Sequence, residues 1–359
     1  MDATDVQVSL LDADGNLLAH PIYKVDLDDD ALRRLYEQLV VVRRIDIEAT
    51  NLQRQGQLGI WAPCLGQEAA QIGSATALRP DDFIFPSYRE LGVAWVRGVD
   101  PVDIMRLYRG QALSGWDMRE HSFACYSIPI GTQPLHAVGW AIGAKWEGCD
   151  QIAATYFGDG ATSEGDVSEA LNFAAVQAAP VVFFCQNNQW AISVPISRQV
   201  AAPIWRRGAG FGMPGVQVDG NDILAVYAVM RDAVTRARDG GGPTLIEAVT
   251  YRLGAHTTSD DPTRYRTAEE MAAWQGPKDP ITRYRTFLER AGLWSQGFAD
   301  EVGATADRIA ARVRESIENL PQPPLTDLMA NVYADPPQTL VRQFERLAAF
   351  EAQFESEHG

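Results

Sequence analysis

Two short apolar runs, each followed by polar residues, constrain the fold of this 359-residue chain more than any other feature. The first run, "IAATYF", leads into Gly158-Asp159-Gly160. The second, "PVVFFC", ends just before Asn187-Asn188. Continuous apolar runs of this length are typical of strands buried on both faces of a parallel sheet. The 26 residues between Gly160 and Asn187 match one crossover of turn, helix and strand. A right-handed crossover would bring Asp159 and Asn188 to the same edge of the sheet, where doubly wound folds bind their ligands.

The rest of the chain fits a doubly wound α/β fold with a mainly parallel sheet and helical N- and C-terminal extensions. Further strand-like runs, "GVQVDG" and "PTLIEAVTYRL", flank a stretch with helical periodicity, "NDILAVYAVMRDAVTRARDG". The same periodicity predicts a helix near Asp30–Gln55 and another from Ala137, after an irregular region that runs through Pro134. We divide the chain into an N-terminal arm and helix start (1–45), an α/β domain (46–320), and a C-terminal connector and helix (321–359).

Composition and charge disfavour several classes of protein. The formal net charge is −16, whereas a nucleic-acid-binding protein normally presents a basic face. The four cysteines are scattered and lack the spacing of metal ligands. The N-terminal residues contain no continuous apolar segment of the kind found in signal peptides or membrane spans. We therefore expect a cytoplasmic protein that binds neither nucleic acid nor a membrane.

The residue types at the predicted sheet edge suit a phosphate bridged by a metal ion. One carboxylate and one amide are too few for a complete metal cage, but they suit Mg²⁺, which completes its shell with phosphate oxygens and water. Gly158 and Gly160 allow backbone to approach a phosphate, and the next helix N-terminus favours an anion. Taken separately, Gly-Asp-Gly is more simply a turn and Asn-Asn a strand-end cap, but their spacing favours a joint site. An NAD or ATP site is disfavoured because neither GxGxxG nor GxxxxGK[ST] follows a strand.

These motifs carry a family resemblance that covers the chain from about Val25. Gly158-Asp159-Gly160 followed by Asn187-Asn188 resembles the thiamine diphosphate motif. The surrounding text, "YFGDGATSEGDVSEALNFAA" and "FFCQNNQWAIS", is similar to the alpha subunit of the decarboxylase component of 2-oxo acid dehydrogenase complexes. The segments "YRLGAHTTSDDPTRYR" and "DLMANVYADPPQTLVRQ" resemble the branched-chain type of that family.

The resemblance implies that the chain binds thiamine diphosphate and Mg²⁺. The matched Mg²⁺ ligands are the side chains of Asp159 and Asn188 and the backbone carbonyl of Trp190. Tyr88 and Arg89 match a cofactor-contacting pair, in which the forked donors of arginine suit the diphosphate. The other cofactor contacts implied by the resemblance are Ile128, Ile130, Gly158, Gly160, Ala161, Gln186 and His256.

Four of these positions have individual features. His256 matches the active-site histidine, a residue type whose near-neutral pKa allows proton transfer or hydrogen bonding to a carboxylate. Ile130 would lie beneath the cofactor and favour its bent conformation, whereas Ile128 would make a backbone contact only. Gln186 is a departure from the family pattern, because some relatives have a basic phosphate contact there.

The stretch "YSIPIGTQ" matches a segment that can hold K⁺ in this family. The matched K⁺ ligands are Ser127, Pro129, Thr132 and Gln133, partly through their carbonyls. Taken without the resemblance, this stretch is a proline-containing loop.

The implied activity is oxidative decarboxylation of branched-chain 2-oxo acids, with transfer of the acyl group to the lipoyl domain of an acyltransferase component. The cofactor also needs a carboxylate from a second, related domain, for which this chain has no room. The resemblance therefore implies a beta subunit, in an assembly of two alpha and two beta chains. The alternatives are action on pyruvate or acetoin, and a non-catalytic scaffold, which the intact Asp159, Asn188 and His256 disfavour. The polar segment 255–270 is predicted to be mobile without cofactor.

Overall fold

The computed structural model describes residues 7–111, 114–330 and 332–355. The chain forms two compact units, Met1–Glu318 and Asn319–Gly359. In the described residues, the first unit contains the sheet and the helices that cover it.

The first unit is built around a parallel sheet, as the apolar runs predict. The strands of the described residues are β1 (Phe83–Phe85), β2 (Ala153–Gly158), β3 (Val181–Asn187), β4 (Trp190–Ala191), β5 (Val194–Pro195), β6 (Gly215–Asp219) and β7 (Thr244–Val249). Five of them form one sheet in the order β1-β2-β3-β7-β6, with every neighbouring pair parallel. The short strands β4 and β5 form a separate antiparallel hairpin.

The register of the central strands determines where the polar motifs lie. Gly158 at the end of β2 is paired with Gln186 on β3. Asn187 on β3 is in turn paired with Val249 on β7. The carboxyl ends of three adjacent strands therefore lie at one edge of the sheet, and the predicted meeting of Asp159 with Asn188 follows from this register.

Helices cover both faces of the sheet. The helices of the first unit are α1 (Asp29–Arg54), α2 (Glu68–Thr76), α3 (Leu91–Val96), α4 (Pro101–Tyr108), α5 (Thr132–Trp146), α6 (Gly165–Gln177), α7 (Arg207–Gly210), α8 (Ile223–Arg238), α9 (Ala268–Ala272), α10 (Pro280–Arg290) and α11 (Gln296–Glu318). Phe157 and Phe183 project from one face into a core formed with α5 and α6. Tyr156 projects from the other face, where its hydroxyl donates to Ser74 on α2 at 3.0 Å. Successive residues of β2 thus face opposite layers, which explains why the strand is buried on both faces along nearly its whole length.

The start of helix α5 differs from the prediction. The sequence indicated an irregular region through Pro134, but the helix already begins at Thr132. Gly131 precedes it with a left-handed φ of 83°. Proline is tolerated in a first helical turn because its missing N–H has no partner there in any case. Pro134 therefore does not delay the helix to Ala137.

The N-terminal arm is tied to the edge of the sheet. Val8 forms a parallel bridge with Val218 on β6. The carboxylate of Asp222 accepts hydrogen bonds from the backbone N–H groups of Leu10 and Leu11, each at 2.6 Å. Asp222 also caps α8 by accepting from Ala225. One buried carboxylate thus joins the arm to the helix start.

The second unit contains α12 (Asp327–Ala330) and α13 (Gln338–Glu355). The last helix, α13, lies within the range 321–359, for which the sequence predicts a connector followed by a helix. In the described part of the chain, no helix combines the length and the apolar content that crossing a membrane requires.

Candidate cofactor-binding site

A pocket of about 240 Å³ lies at the carboxyl edge of the sheet. Its walls come from the segments that follow β1, β2, β3 and β7, together with the start of α2 and the loop before α5. It is lined by Gln67, Ser87, Tyr88, Arg89, Glu90, Ile130, Gly131, Gln133, Phe157, Gly158, Asp159, Gly160, Ala161, Glu164, Gln186, Asn188, Trp190, Ala191, Ile192 and His256. Most of the predicted cofactor contacts therefore meet in one place; Ile128 is exposed and lies outside this lining.

The three proposed Mg²⁺ ligands all line this pocket. The backbone of Asn188 is near enough to the Asp159 carboxylate to favour its charged form and lower its pKa. The Asn188 Oδ1 atom accepts a hydrogen bond from the backbone N–H of Trp190 at 3.3 Å. The Trp190 carbonyl accepts from Arg252 Nη1 at 3.1 Å and retains a second lone pair. The three residues of this lining offer one carboxylate, one amide oxygen and one carbonyl, a donor set suited to a hard cation.

Asp159 is a buried carboxylate with few partners. It is only 1% exposed. Burial raises the pKa of Asp159, and the hydrogen bond from Gln199 partly opposes that rise. Gln199 Nε2 donates to Asp159 Oδ2 at 2.6 Å. The hydrogen bonds to this buried carboxylate offset only part of the free-energy cost of burying its charge. Such a carboxylate is favourably placed to bind a cation. Within the described residues there is no cluster of three or more His, Cys, Asp or Glu side chains suited to a metal ion.

The two glycines around Asp159 have different structural roles. A Cβ atom built on Gly158 meets nothing within 4 Å, although the residue lines the pocket. A Cβ atom on Gly160 would lie 2.8 Å from the Cβ atom of Ala191 on β4. Gly158 therefore keeps space open, whereas Gly160 permits the close packing of the β4–β5 hairpin.

A cluster of cationic and neutral nitrogen groups lies next to Trp190, since Arg252 contacts both the Trp190 carbonyl and His256. Arg89 Nη1 donates to the carbonyl of Pro63 at 2.6 Å. Its Nη2 atom donates to the His256 carbonyl at 2.9 Å and lies 3.1 Å from His256 Nδ1. Arg252 Nη1 lies 3.3 Å from the same Nδ1 atom. Tyr88 packs edge-on against the His256 ring, with centroids 6.2 Å apart.

These contacts define the protonation state of His256. A guanidinium group can only donate, so Nδ1 must accept, and the ring proton lies on Nε2. Burial, Arg89 and Arg252 lower the pKa of His256 to about 3, while Asp260 acts in the opposite direction. The Asp260 carboxylate accepts from the His256 backbone N–H at 2.9 Å. At neutral pH the side chain is therefore an uncharged N–H donor.

Gln186 belongs to a buried network behind the pocket. Gln186 Nε2 donates to Glu90 Oε1 at 2.6 Å, and its Oε1 atom accepts from Gln71 at 3.0 Å. Glu90 also accepts from the Ser87 hydroxyl, and its pKa is raised by burial. One N–H of the Gln186 amide remains in addition to the one bound to Glu90, because a primary amide has two donors.

The loop before α5 brings the proposed K⁺ ligands together. Gln133 is buried, and its Nε2 atom donates to the carbonyl of Ser127 at 2.7 Å and to that of Pro129 at 3.4 Å. Thr132 is the first residue of α5 and immediately precedes Gln133. Ile130, in the middle of the loop, is 43% exposed and faces the pocket.

Sequence analysis missed several residues of this site. Four further residues contact predicted site residues, but no motif in the sequence marks them as part of the site: Gln67, Gln199, Arg252 and Glu90. Arg252 is the one with a usable signal, because it is a charged residue within the strand-like run "PTLIEAVTYRL". A charge at the end of a buried strand points to a partner or a function.

Comparison with known proteins identifies the family to which this site belongs. Residues 36–328 match the family described as dehydrogenase E1 component. The chain belongs to the dehydrogenase E1 component family. Membership of this family implies dependence on thiamine diphosphate and activity as part of a 2-oxo acid dehydrogenase. It also implies a beta subunit and further partners in a complex.

Relatives of this E1 chain align over nearly its full length. It is 52% identical over 343 residues to the 3-methyl-2-oxobutanoate dehydrogenase subunit alpha of Mycobacterium tuberculosis, covering 95% of this chain and 93% of the relative. It is 42% identical over 342 residues to the pyruvate dehydrogenase E1 component subunit alpha of Staphylococcus aureus, covering 94% and 91%. The Staphylococcus epidermidis pyruvate dehydrogenase E1 component subunit alpha is 41% identical over 341 residues, again covering 94% and 91%. The family resemblance inferred from the motifs is confirmed.

Proposed function

We propose that this chain is the alpha subunit of a branched-chain 2-oxo acid dehydrogenase that acts on 3-methyl-2-oxobutanoate and related acids. The observation that carries the proposal is that Asp159, Asn188 and Trp190 line the same pocket as Arg89 and His256. The chain's 52% identity to a 3-methyl-2-oxobutanoate dehydrogenase subunit alpha supports the choice of substrate. The acyl product would be transferred to the lipoyl domain of an acyltransferase component.

The residues at the pocket fit a diphosphate group bridged by Mg²⁺. Asp159, Asn188 and the Trp190 carbonyl would supply three protein oxygens, leaving positions for phosphate oxygens and water. Arg89 supplies guanidinium donors, and the open space beside Gly158 leaves room for an anion. The pocket therefore offers both the oxygen ligands and the anion donors that such a group requires.

Thiamine diphosphate, when bound, supplies a thiazolium carbon that can add to a 2-oxo acid and accept the electrons released with CO₂. The protein residues bind, orient and shield the reactants. Neutral His256 presents an Nε2–H donor that can hydrogen bond to the carboxylate or the carbonyl oxygen of the substrate. Arg89 and Arg252 hold the imidazole in this tautomer through Nδ1. Ile130 presents an apolar surface to the pocket and would support the bent cofactor conformation.

The loop before α5 is a candidate K⁺ site. The carbonyls of Ser127 and Pro129 already surround the Gln133 amide. Binding of K⁺ would require that amide to turn, so that its oxygen faces the cation in place of its nitrogen. With Thr132, the four residues would then provide oxygen ligands, the kind that a hard cation prefers.

We propose that a beta subunit completes the site in an assembly of two alpha and two beta chains. Apolar side chains around the pocket support this, since Ile130, Ile192 and Val194 are 43%, 54% and 42% exposed. Exposed apolar residues around a cofactor pocket are typical of a surface that a partner covers. The partner would also supply the carboxylate that activates the aminopyrimidine ring.

The test is decarboxylation by this chain co-expressed with its beta subunit. The assay contains thiamine diphosphate, Mg²⁺ and an artificial electron acceptor, and compares 3-methyl-2-oxobutanoate, 4-methyl-2-oxopentanoate and pyruvate. We expect a higher kcat/KM for the branched acids. The same complex carrying Asp159→Asn is the control, and it should be inactive on all three.

Pyruvate is the second candidate substrate, supported by the 42% identity to a pyruvate dehydrogenase E1 component subunit alpha. A preference for pyruvate would overturn the branched-chain proposal while leaving the proposed site roles intact. Activity equal to wild type in the Asp159→Asn complex would overturn the proposed metal site.

A further inference from the structure

Gln67 is a buried residue of the pocket whose amide nitrogen has no partner in the described residues. It immediately precedes α2, its exposure is 0%, and its side chain lines the pocket. Its Nε2 atom makes no hydrogen bond to any described residue. A buried N–H group without a partner costs about 1–3 kcal/mol, so such a group in a ligand pocket requires an explanation.

The oxygen of the Gln67 amide is held in place by Asn188, one of the proposed Mg²⁺ ligands. Gln67 Oε1 accepts a hydrogen bond from Asn188 Nδ2 at 3.1 Å. This contact holds the Asn188 amide with its nitrogen toward Gln67, so that Oδ1 remains the atom available to a cation. Because Oε1 is engaged in this way, the unpartnered Nε2 is held in one orientation beside Asn188.

The surroundings indicate what kind of group Nε2 would contact. Asp159, Asn188 and Trp190 are suited to a cation and Arg89 to an anion, which together describe a metal-bound diphosphate. An amide N–H can only donate, so its partner must be an acceptor. A phosphate oxygen next to the Asn188-bound cation is the acceptor that the proposed site would place there.

We propose that Gln67 binds the diphosphate group of the cofactor directly, by donating from Nε2 to a phosphate oxygen while Oε1 holds Asn188. The inference rests on the proposed thiamine diphosphate and Mg²⁺ site and adds a ligand to it. The side chain of Gln67 would thus contact both the phosphate and Asn188, a proposed ligand of the metal ion.

Two substitutions distinguish the role of the Nε2 donor from that of the Oε1 acceptor. Gln67→Met keeps the length of the side chain but removes both donor and acceptor. Gln67→Glu keeps an acceptor for Asn188 but replaces the donor with a carboxylate. The matched control is Ser74→Ala, because Ser74 is equally buried on α2, bonds to Ala70 and Tyr156, and does not line the pocket.

The experiment measures cofactor affinity by calorimetry on the complex of this chain with its beta subunit, at saturating Mg²⁺. We expect Gln67→Met to weaken thiamine diphosphate binding by roughly ten- to a hundredfold, as loss of a hydrogen bond to a charged group predicts. Gln67→Glu should weaken binding at least as much, because its carboxylate lies beside the phosphate. Ser74→Ala should bind like wild type.

Inorganic pyrophosphate serves as the second probe, since it contains the anion without the rings. Its own dissociation constant, measured by direct calorimetry, should rise by a similar factor in both Gln67 variants. Wild-type affinity in Gln67→Glu would overturn the donor role, because only the acceptor for Asn188 would then matter. Unchanged affinity in Gln67→Met would exclude any role of Gln67 while leaving the proposed function intact. If the wild-type complex itself bound no thiamine diphosphate, both the inference and the proposed function would fail.

Discussion

His256 should remain uncharged well below neutral pH, and Arg89→Met should make it easier to protonate. Burial, followed by the charges of Arg89 and Arg252, lowers the pKa of His256 from 6.5 to about 3. Arg89 Nη2 lies 3.1 Å from Nδ1, the atom that would have to accept a second proton. A nearby like charge shifts a pKa by about 1–3 units, so we expect the variant to raise the pKa of His256 by at least about one unit.

The lowered pKa also predicts how stability depends on pH. Between pH 6.5 and 3 the unfolded chain protonates His256 and the folded chain does not, so the unfolded state binds more protons. The contribution of His256 to the free energy of unfolding is therefore at its maximum above pH 6.5 and decreases as the pH falls toward 3. From pH 6.5 to 5 the loss is about 1–2 kcal/mol, allowing 1.36 kcal/mol per unit and partial solvent screening.

The assay is NMR of the histidine side chains in protein labelled only at histidine. The chain has five histidines, and comparison with His256→Gln assigns the relevant signal. We expect the Nε2–H tautomer to persist to pH 5 in the free chain, and His256→Gln to show a smaller loss of stability between pH 6.5 and 5. A His256 pKa near 6.5 in the wild type, or no change in Arg89→Met, would refute this account of the site.

Other substitutions test the metal ligand, the glycines and a buried carboxylate. Asp159→Asn should abolish Mg²⁺-dependent thiamine diphosphate binding in calorimetry while the circular dichroism spectrum stays native; unchanged affinity would contradict the metal role. Gly160→Ala should destabilise the chain by about 1–3 kcal/mol in urea unfolding, because its new Cβ would lie 2.8 Å from that of Ala191. Gly158→Ala is the matched change, since its Cβ meets nothing within 4 Å; it should keep the stability but weaken cofactor binding by narrowing the pocket. Burial raises the pKa of Asp46 to about 7. The free energy of unfolding of the wild type should therefore decrease as the pH rises from about 4 to 7, because the folded state binds this proton more tightly than the unfolded state. Asp46→Asn should remove that part of the pH dependence. An identical slope in the variant would show that Asp46 does not titrate in this range.

The predicted mobility of the segment 255–270 can also be tested. It contains His256 and Asp260, and the hydroxyl of Tyr265 donates to the Asp260 carboxylate. Its mobility without cofactor stays a prediction, which limited proteolysis with and without thiamine diphosphate would check.

Whereas the strand order and the β4–β5 hairpin came from the tertiary structure, the sequence alone predicted a mainly parallel sheet and the placement of Asp159 and Asn188 at one edge of it. The reason is that buried strands must be apolar along their whole length, and a crossover of fixed length can connect them in few ways. The motifs at the strand ends are also specific enough to indicate the family, because they combine the metal-binding residue types with the length of one crossover.

The tertiary structure decided the contacts made by residues distant in sequence. Gln67 and Asn188 are 121 positions apart, and Arg89 and His256 are 167 positions apart, so no local pattern indicates that their side chains meet. The neutral state of His256 depends on its burial and on two guanidinium groups that different loops supply. Local periodicity encodes which residues are buried, but the pairing of polar side chains depends on how the strand-end loops fold over the same edge of the sheet.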